Sequence, residues 1–165
     1  MQNEVGEEPA SRKFVLNTMM KYFSLPYLFV SIQLGCLFII AATGPLFSNT
    51  EWGILVEFAG IFLALLAIYH MRIGNFNIIP VPKFEGELIT SGIYKYIRHP
   101  MYLAQLVAVI PLIYDHYTQY RLIVWFILLI NLLLKQRFEE KLLKKHFVEY
   151  AAYMQTSWRM IPFIY

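Results

Sequence analysis

The sequence has few charged residues and a single cysteine. Of its 165 residues only 15% are charged and 58% are hydrophobic, whereas a soluble domain carries roughly 25% charged residues. This composition excludes a water-soluble globule and a disordered tail, and the length allows one domain. Cys36 excludes an internal disulfide, and its place in an apolar run favours a small buried side chain over a reactive thiol. The net charge of +3 is too small to indicate nucleic-acid binding.

Several common catalytic and metal-binding patterns are also missing. The sequence contains no P-loop, no GxGxxG and no GxSxG. Asp115 is the only aspartate, so a Ser/His/Asp triad near the basic segments is excluded. With one cysteine, and with histidines that lack ligand spacing, we expect no metal site. These histidines are His70, His99, His116 and His146.

Four apolar runs dominate what is present. Residues 25–47 and 52–69 are long enough to cross a bilayer, which takes about 20 apolar residues. Residues 101–114 and 122–134 are shorter and are joined by a brief connection, so we expect a tight helical hairpin. The sequence therefore predicts an all-α integral membrane protein with about four transmembrane helices, the last two of which do not necessarily cross fully.

The distribution of basic residues orients these helices. Thirteen of the fourteen Lys and Arg residues lie before the first run, between the second and third, or after the fourth, and Arg121 lies on the other side. The positive-inside rule then predicts a multi-pass protein with both termini in the cytoplasm. Residues 1–24 form a cytoplasmic segment that is too acidic for a cleavable signal peptide, and residues 25–165 form one domain. The membrane would be the cytoplasmic membrane of a prokaryote or the endoplasmic reticulum of a eukaryote.

Two cytoplasmic segments are expected to be ordered. Residues 72–100 contain many turn formers but also enough apolar side chains to pack. Residues 135–153 show apolar positions at three- to four-residue spacing, which predicts a helix that continues out of the fourth span. A loop and a C-terminal helix in these places would close over a site at the membrane surface.

The strongest local feature is the sequence Arg98-His99-Pro100. Proline suits the first turn of a helix, so Arg98 and His99 would lie at the start of the third span, where backbone N–H groups attract anions. An alternative is that both side chains merely reach into lipid headgroups.

A second feature is the pair Glu139-Glu140, where the fourth span leaves the membrane. Carboxylates there need cations or hydrogen-bond donors. A surface helix with Lys135–Glu139 and Glu140–Lys144 pairs is the simpler alternative. Within the spans, Gln33, Gln105 and Asn131 are polar, and Glu57 is expected to cap or to reach the outer interface. Together the Arg98-His99-Pro100 sequence and the Glu139-Glu140 pair, both on the cytoplasmic side, suit a zwitterionic, partly apolar ligand.

These residues resemble a known family. Residues 87–94 (ELITSGIY) and 98–102 (RHPMY) resemble the signature of the isoprenylcysteine carboxyl methyltransferases, which are related to the phospholipid N-methyltransferases. The resemblance spans a motif-bearing core of residues 80–163. The second half of the signature is matched by Glu139-Glu140, Leu143, Phe147, Tyr150, Tyr153 and Ile161-Pro162.

The resemblance implies S-adenosylmethionine bound at the cytoplasmic face and a lipophilic methyl acceptor that enters from the bilayer. Arg137, or else Lys135, would face the acceptor, and Glu140 would act as a base for an amine acceptor; Arg137 and Glu140 are thus the candidate catalytic residues. The candidate cofactor-binding residues are Leu88, Ile89, Tyr94, Arg98, His99, Pro100, Met101, Tyr102, Glu139 and Glu140.

The sequence departs from the family pattern at two glycines, which are replaced by Ala104 and Val148. The acceptor stays open between an isoprenylcysteine-like carboxylate, which is the first expectation, and a phospholipid amine. Membrane sterol reductases carry a similar Arg-His-Pro stretch and use NADPH, so they are an alternative. A membrane protein that has kept the fold without catalysis is another.

Overall fold

The structure, a computed structural model, describes the backbone of residues 10–71, 79 and 87–164 and the side chains from residue 24 onward within those ranges. Within this part of the chain every regular element is helical, as predicted, apart from one parallel bridge between Ile97 and Trp158. The elements are α1 (Ala10–Ala42), α2 (Glu51–Met71), a 3₁₀ helix (Gly92–Lys95), α3 (Pro100–Asp115), α4 (Gln119–His146) and α5 (Tyr150–Thr156).

Two of the described helices are long and apolar enough to cross a membrane, namely residues Ser24–Ala42 of α1 and Glu51–Met71, the whole of α2. Only 28% and 22% of their residues are buried, and large apolar side chains such as Phe38, Leu55 and Phe62 are exposed. The core helix of a soluble protein buries most of its surface, whereas an apolar helix that stays exposed fits a lipid environment. α3 is apolar but shorter, with 16 residues that extend about 24 Å.

The helix bounds differ from the sequence expectation at two places. α1 ends at Ala42 instead of continuing to residue 47, because Gly44 and Pro45 follow and the residue before a proline disfavours helical geometry. The helix predicted over residues 135–153 stops at His146, since Phe147 is extended with φ −116° and ψ 120°. The chain then turns into α5, which buries Tyr150 and Tyr153.

The helices pair as α2 with α3 and α1 with α4. The predicted connection between the third and fourth apolar runs is confirmed as a short turn at residues 116–118, but α3 packs chiefly along α2 and touches α4 less. The apolar core lies between α1, α3 and α4, where Cys36, Ile40 and Leu128 are buried together. Cys36 is thus the small buried side chain that was expected.

Buried polar contacts close the end of the bundle that is remote from the Arg98-His99-Pro100 segment. The guanidinium of Arg121, 1% exposed, donates to the carbonyls of Ile40 and Leu112 at 2.9 and 2.8 Å. Glu57 is buried and accepts the backbone N–H of Ser48, in the loop before α2, at 2.9 Å, so its carboxylate is satisfied inside the fold.

The α2–α3 contact leads to a prediction about Gly60. A Cβ atom at this position would lie 2.8 Å from the Cβ and the backbone nitrogen of Ala108, so the two helices would have to separate. We expect Gly60→Ala to destabilise the fold by about 1–3 kcal/mol. Gly35 of α1 is the matched control, because a Cβ there meets no atom within 4 Å and alanine favours a helix by about 1 kcal/mol. Thermal unfolding in detergent measures both variants, and equal midpoints would contradict the close packing.

Candidate functional site

The segment that carries the Arg98-His99-Pro100 sequence is fixed by pairing with the C-terminal segment. Arg98 and His99 donate their backbone N–H groups to the carbonyls of Trp158 and Arg159 at 2.8 and 2.9 Å, and Trp158 donates to Tyr96 at 2.9 Å. Immediately afterwards α3 begins, with His99 as the N-cap residue and Pro100 in the first turn. The predicted position of this sequence at the start of the helix is therefore confirmed.

Gly92 allows the 3₁₀ helix, which precedes this segment, to pack against α2. Gly92 has φ +61°, a backbone conformation that glycine adopts without strain. A Cβ atom on Gly92 would also overlap the ring of His70 in α2. The 3₁₀ helix can therefore lie against the end of α2 only with glycine at this position.

Glu140 lies at the centre of a buried ion-pair cluster. One carboxylate oxygen lies 2.8 Å from Nε of Arg98 and the other lies 2.9 Å from Nε of Arg159, while the residue is only 3% exposed. Burial opposes ionisation, but the neighbouring His99 ring and Arg98 guanidinium outweigh it and lower the pKa of Glu140 to about 2. Glu140 is thus paired across the fold, and not with Lys144 along its own helix.

Arg98 is largely occupied by protein contacts. Besides Glu140, its guanidinium donates to the carbonyl of Met154 at 3.2 Å and to both the carbonyl and the hydroxyl of Ser157. These contacts join α4, the end of α5 and the start of α3. Arg98 therefore connects these segments, and its Nε and one of its two terminal nitrogens already have partners in the protein.

A small cleft lies beside this cluster. His99 and Tyr102 stack with ring centroids 5.3 Å apart, and the Tyr102 hydroxyl donates to Glu139 at 2.7 Å. The cleft has a volume of about 50 Å³ and is partly open. Seven of the ten predicted cofactor-binding residues line it together with Met71 of α2, and these seven are Tyr94, Arg98, His99, Pro100, Met101, Tyr102 and Glu139.

His99 lies between two carboxylates. Its Nδ1 is 3.7 Å from Glu139 and its Nε2 is 3.5 Å from Glu140, both longer than a hydrogen bond. Nε2 is buried and has no hydrogen-bond partner among the described residues.

Burial raises the pKa of Tyr94 and of Tyr150 well above that of an ordinary phenol, so both phenols stay neutral. The cleft presents aromatic rings, part of the Arg98 guanidinium and one partly exposed carboxylate, Glu139.

Three polar side chains next to the cleft are hydrogen-bonded in series among the apolar helices. The Lys135 ammonium donates to Gln33 at 2.7 Å, and Gln33 donates to Gln105 at 2.7 Å. The same ammonium lies 5.1 Å from the centroid of the Tyr102 ring. This series of hydrogen bonds links α1, α3 and α4 next to the residues that line the cleft.

The other predicted site residues lie outside the cleft. Leu88 and Ile89 are half-buried in the irregular segment before the 3₁₀ helix, and Glu140 does not line the cleft but lies beside it in its ion pairs. Arg137 is two residues from Glu139, which is about 200° around an α-helix. It lines a different cavity of about 660 Å³, the α1–α4 groove, whose walls include Leu25, Leu28 and Ile32 of α1 and Ile127, Ile130 and Leu134 of α4.

Sequence reasoning missed several contributors to the site. Met71 gave no signal, since it is one apolar residue among many. Arg159 was only counted as a basic residue, although it pairs with Glu140. Gln33 and Gln105 did give a signal, because amides in apolar runs need partners, but their connection through Lys135 depends on how the helices are rotated.

One of the comparisons with known proteins gives a match. The sequence model of the family described as phospholipid methyltransferase matches residues 49–150. This match covers more than half of the chain and every residue that lines the cleft, so the chain belongs to the phospholipid methyltransferase family. No curated protein and no solved structure matches the chain.

The Glu140 cluster leads to a prediction about acid stability. The pKa of Glu140 is lowered from 4.5 to about 2 in the folded chain, so its ion pairs stabilise the fold fully above about pH 4.5 and progressively less as the pH falls toward 2. We expect Glu140→Gln to destabilise the fold by about 3 kcal/mol at pH 7, since Arg98 loses a buried partner. The difference from the wild type should shrink below pH 4.5.

Thermal unfolding of both proteins from pH 7 to pH 3 measures this difference. Glu149→Gln is the control, because Glu149 is exposed at the start of α5. A gap between wild type and Glu140→Gln that stays constant over this pH range would contradict the assignment.

Proposed function

We propose that this member of the phospholipid methyltransferase family transfers a methyl group from S-adenosylmethionine to a lipophilic acceptor at the cytoplasmic face of a membrane. The observation that carries the proposal is the cleft at the start of α3, where a stacked His99–Tyr102 pair and the Glu139 carboxylate meet inside the matched region. Family membership favours methyl transfer over the hydride transfer of an NADPH-dependent reductase.

The donor set of the cleft suits S-adenosylmethionine. Its sulfonium and ammonium are cationic, and aromatic rings and carboxylates bind cations. Tyr94, His99 and Tyr102 supply the rings, and Glu139 supplies the carboxylate. The volume of the cleft, about 50 Å³, is small, so the cleft would hold only part of the cofactor and the rest would extend beyond these walls.

The protein has a limited chemical task in this reaction. S-adenosylmethionine, when bound, supplies a methyl group that its sulfonium already activates. The cleft residues would hold an acceptor in line with that methyl group and exclude water, which are contributions of positioning and desolvation. Tyr102 would keep the Glu139 carboxylate oriented through its 2.7 Å hydrogen bond.

The charges around the cleft favour an amine acceptor. A phospholipid ammonium has no lone pair and must lose a proton before its nitrogen can attack, and Glu139 is the carboxylate that lines the cleft. A carboxylate acceptor would need a cation instead. However, Arg98 is paired with Glu140 and Ser157, and Lys135 is bonded to Gln33. We therefore propose a phospholipid amine ahead of the isoprenylcysteine carboxylate, and Glu139 ahead of Glu140 as the base.

We further propose a membrane topology of four membrane helices with both termini in the cytoplasm. α1 and α2 meet the length and composition required. α4 extends about 42 Å over 28 residues, so it would cross the hydrocarbon and continue into the cytoplasm. α3 would reach only part of the way, at about 24 Å. The positive-inside distribution supports this orientation, which sets the cleft at the membrane surface, where an acceptor can enter from the bilayer.

Replacement of Glu139 tests the function. We expect Glu139→Gln to weaken S-adenosylmethionine binding about tenfold or more, since one charged hydrogen-bond partner is lost. We also expect it to slow methylation of an amine acceptor by a factor of about 100 or more, since the base is lost. Calorimetry in nanodiscs measures binding, and labelled methyl transfer to phosphatidylethanolamine or to a prenylated cysteine measures turnover. Glu149→Gln is the matched control.

Different outcomes separate the alternatives. Methylation of the prenylated cysteine alone, unaffected by Glu139→Gln, would overturn the amine assignment. Binding of NADPH without S-adenosylmethionine would overturn methyl transfer in favour of the reductase. Binding of S-adenosylmethionine without turnover on any acceptor would favour a fold that is kept without catalysis.

A further inference from the structure

The α1–α4 groove has apolar walls and a basic rim. Its apolar part follows α4 from Ile127 to Leu134, which is about 10 Å of helix. Arg137 and Lys141 line the same groove one and two turns further along α4, and both are exposed. The hydrocarbon of one leaflet is about 15 Å thick, which is comparable to the length of the apolar wall. The apolar wall is followed by the basic rim, just as the acyl chains of a lipid in one leaflet are followed by its phosphate.

The groove is separated from the cleft by contacts between α1 and α4. Asn131 donates to the carbonyl of Phe29 at 3.0 Å, and the rings of Phe29 and Phe138 lie 5.9 Å apart. Lys135 is bonded to Gln33 behind them. Among the described side chains these contacts therefore separate a molecule in the groove from Glu139, which lies on the opposite side of α4 from Arg137.

We propose that the α1–α4 groove binds one phospholipid with an acidic headgroup, as a structural lipid distinct from the methyl acceptor. The acyl chains lie against Leu28, Ile32 and Ile130, and the phosphate meets Arg137 and Lys141. Two adjacent cations attract an anionic headgroup more strongly than a zwitterionic one. The proposal rests on insertion of the chain in a bilayer and does not depend on methyl transfer.

A second copy of the chain fits the groove less well. In a two-fold dimer within a membrane both grooves would face each other with their rims on the same side. Arg137 and Lys141 of the two copies would then come together, and four like charges would repel each other. A lipid phosphate neutralises these residues instead.

Lipid retention by the purified full chain tests the proposal. Native mass spectrometry and thermal unfolding are carried out in detergent with phosphatidylglycerol or phosphatidylcholine of identical acyl chains. Phosphatidylglycerol has neither an amine nor a carboxylate, so its retention is not binding of an acceptor of either proposed kind. We expect the wild type to retain it about tenfold more tightly than phosphatidylcholine, with a matching rise in the unfolding midpoint and a preference that weakens with salt.

Three variants locate the binding. The double variant Arg137→Gln/Lys141→Gln should lose the preference for phosphatidylglycerol. The control Lys144→Gln/Lys145→Gln should keep it, because Lys144 and Lys145 are exposed on the same helix outside the groove. Ile130→Trp fills the apolar part and should reduce retention of both lipids. Equal retention of the two lipids by the wild type, an unchanged preference in the Arg137/Lys141 variant, or a stable dimer that excludes lipid would overturn the proposal.

Discussion

The buried carboxylate of Glu140 holds together three segments that are far apart in the chain. It receives Arg98 from the segment before α3 and Arg159 from the C-terminal segment, while it belongs itself to α4. Such a group is costly to bury unless both oxygens are satisfied, and here each oxygen has a guanidinium partner. The cleft exists because this cluster brings the start of α3 against α4, so that His99 and Tyr102 meet the neighbouring Glu139.

The position of α4 is also fixed by a second polar contact, at Lys135. Lys135 is 1% exposed and satisfies its charge through Gln33 and the face of the Tyr102 ring. The rotation of α4 about its axis is thereby determined at two levels, by Lys135 among the apolar helices and by Glu140 at the cleft. Glu139 lies on the turn between them. The orientation of Glu139 toward the cleft is thus a consequence of two buried residues of the same helix, Lys135 and Glu140.

Much of this arrangement could be predicted from the sequence. The helices follow from long apolar runs, and the start of α3 follows from Pro100, whose missing N–H suits a first turn. The cleft residues around His99 were predicted because they form one continuous segment with a family signature. Which of Glu139 and Glu140 lines the cleft could not be predicted, since adjacent helical residues point about 100° apart and only packing decides which one is buried in ion pairs and which one faces the cleft. The break at Phe147 was also missed, because the apolar spacing continues through it while Tyr150 and Tyr153 find burial in a separate helix.

The pairing between Ile97 and Trp158 has a consequence for how the molecule is made. Ribosomal synthesis proceeds from the N-terminus, so α1 to α4 are complete before residues 157–160 emerge. Until then Arg98 lacks Ser157, Glu140 lacks Arg159, and the backbone N–H groups of Arg98 and His99 lack their acceptors. The long helices have contacts with one another that do not involve these residues. The arrangement of Arg98, His99 and Glu140 therefore depends on a segment made after all four long helices, whereas the pairing of those helices does not.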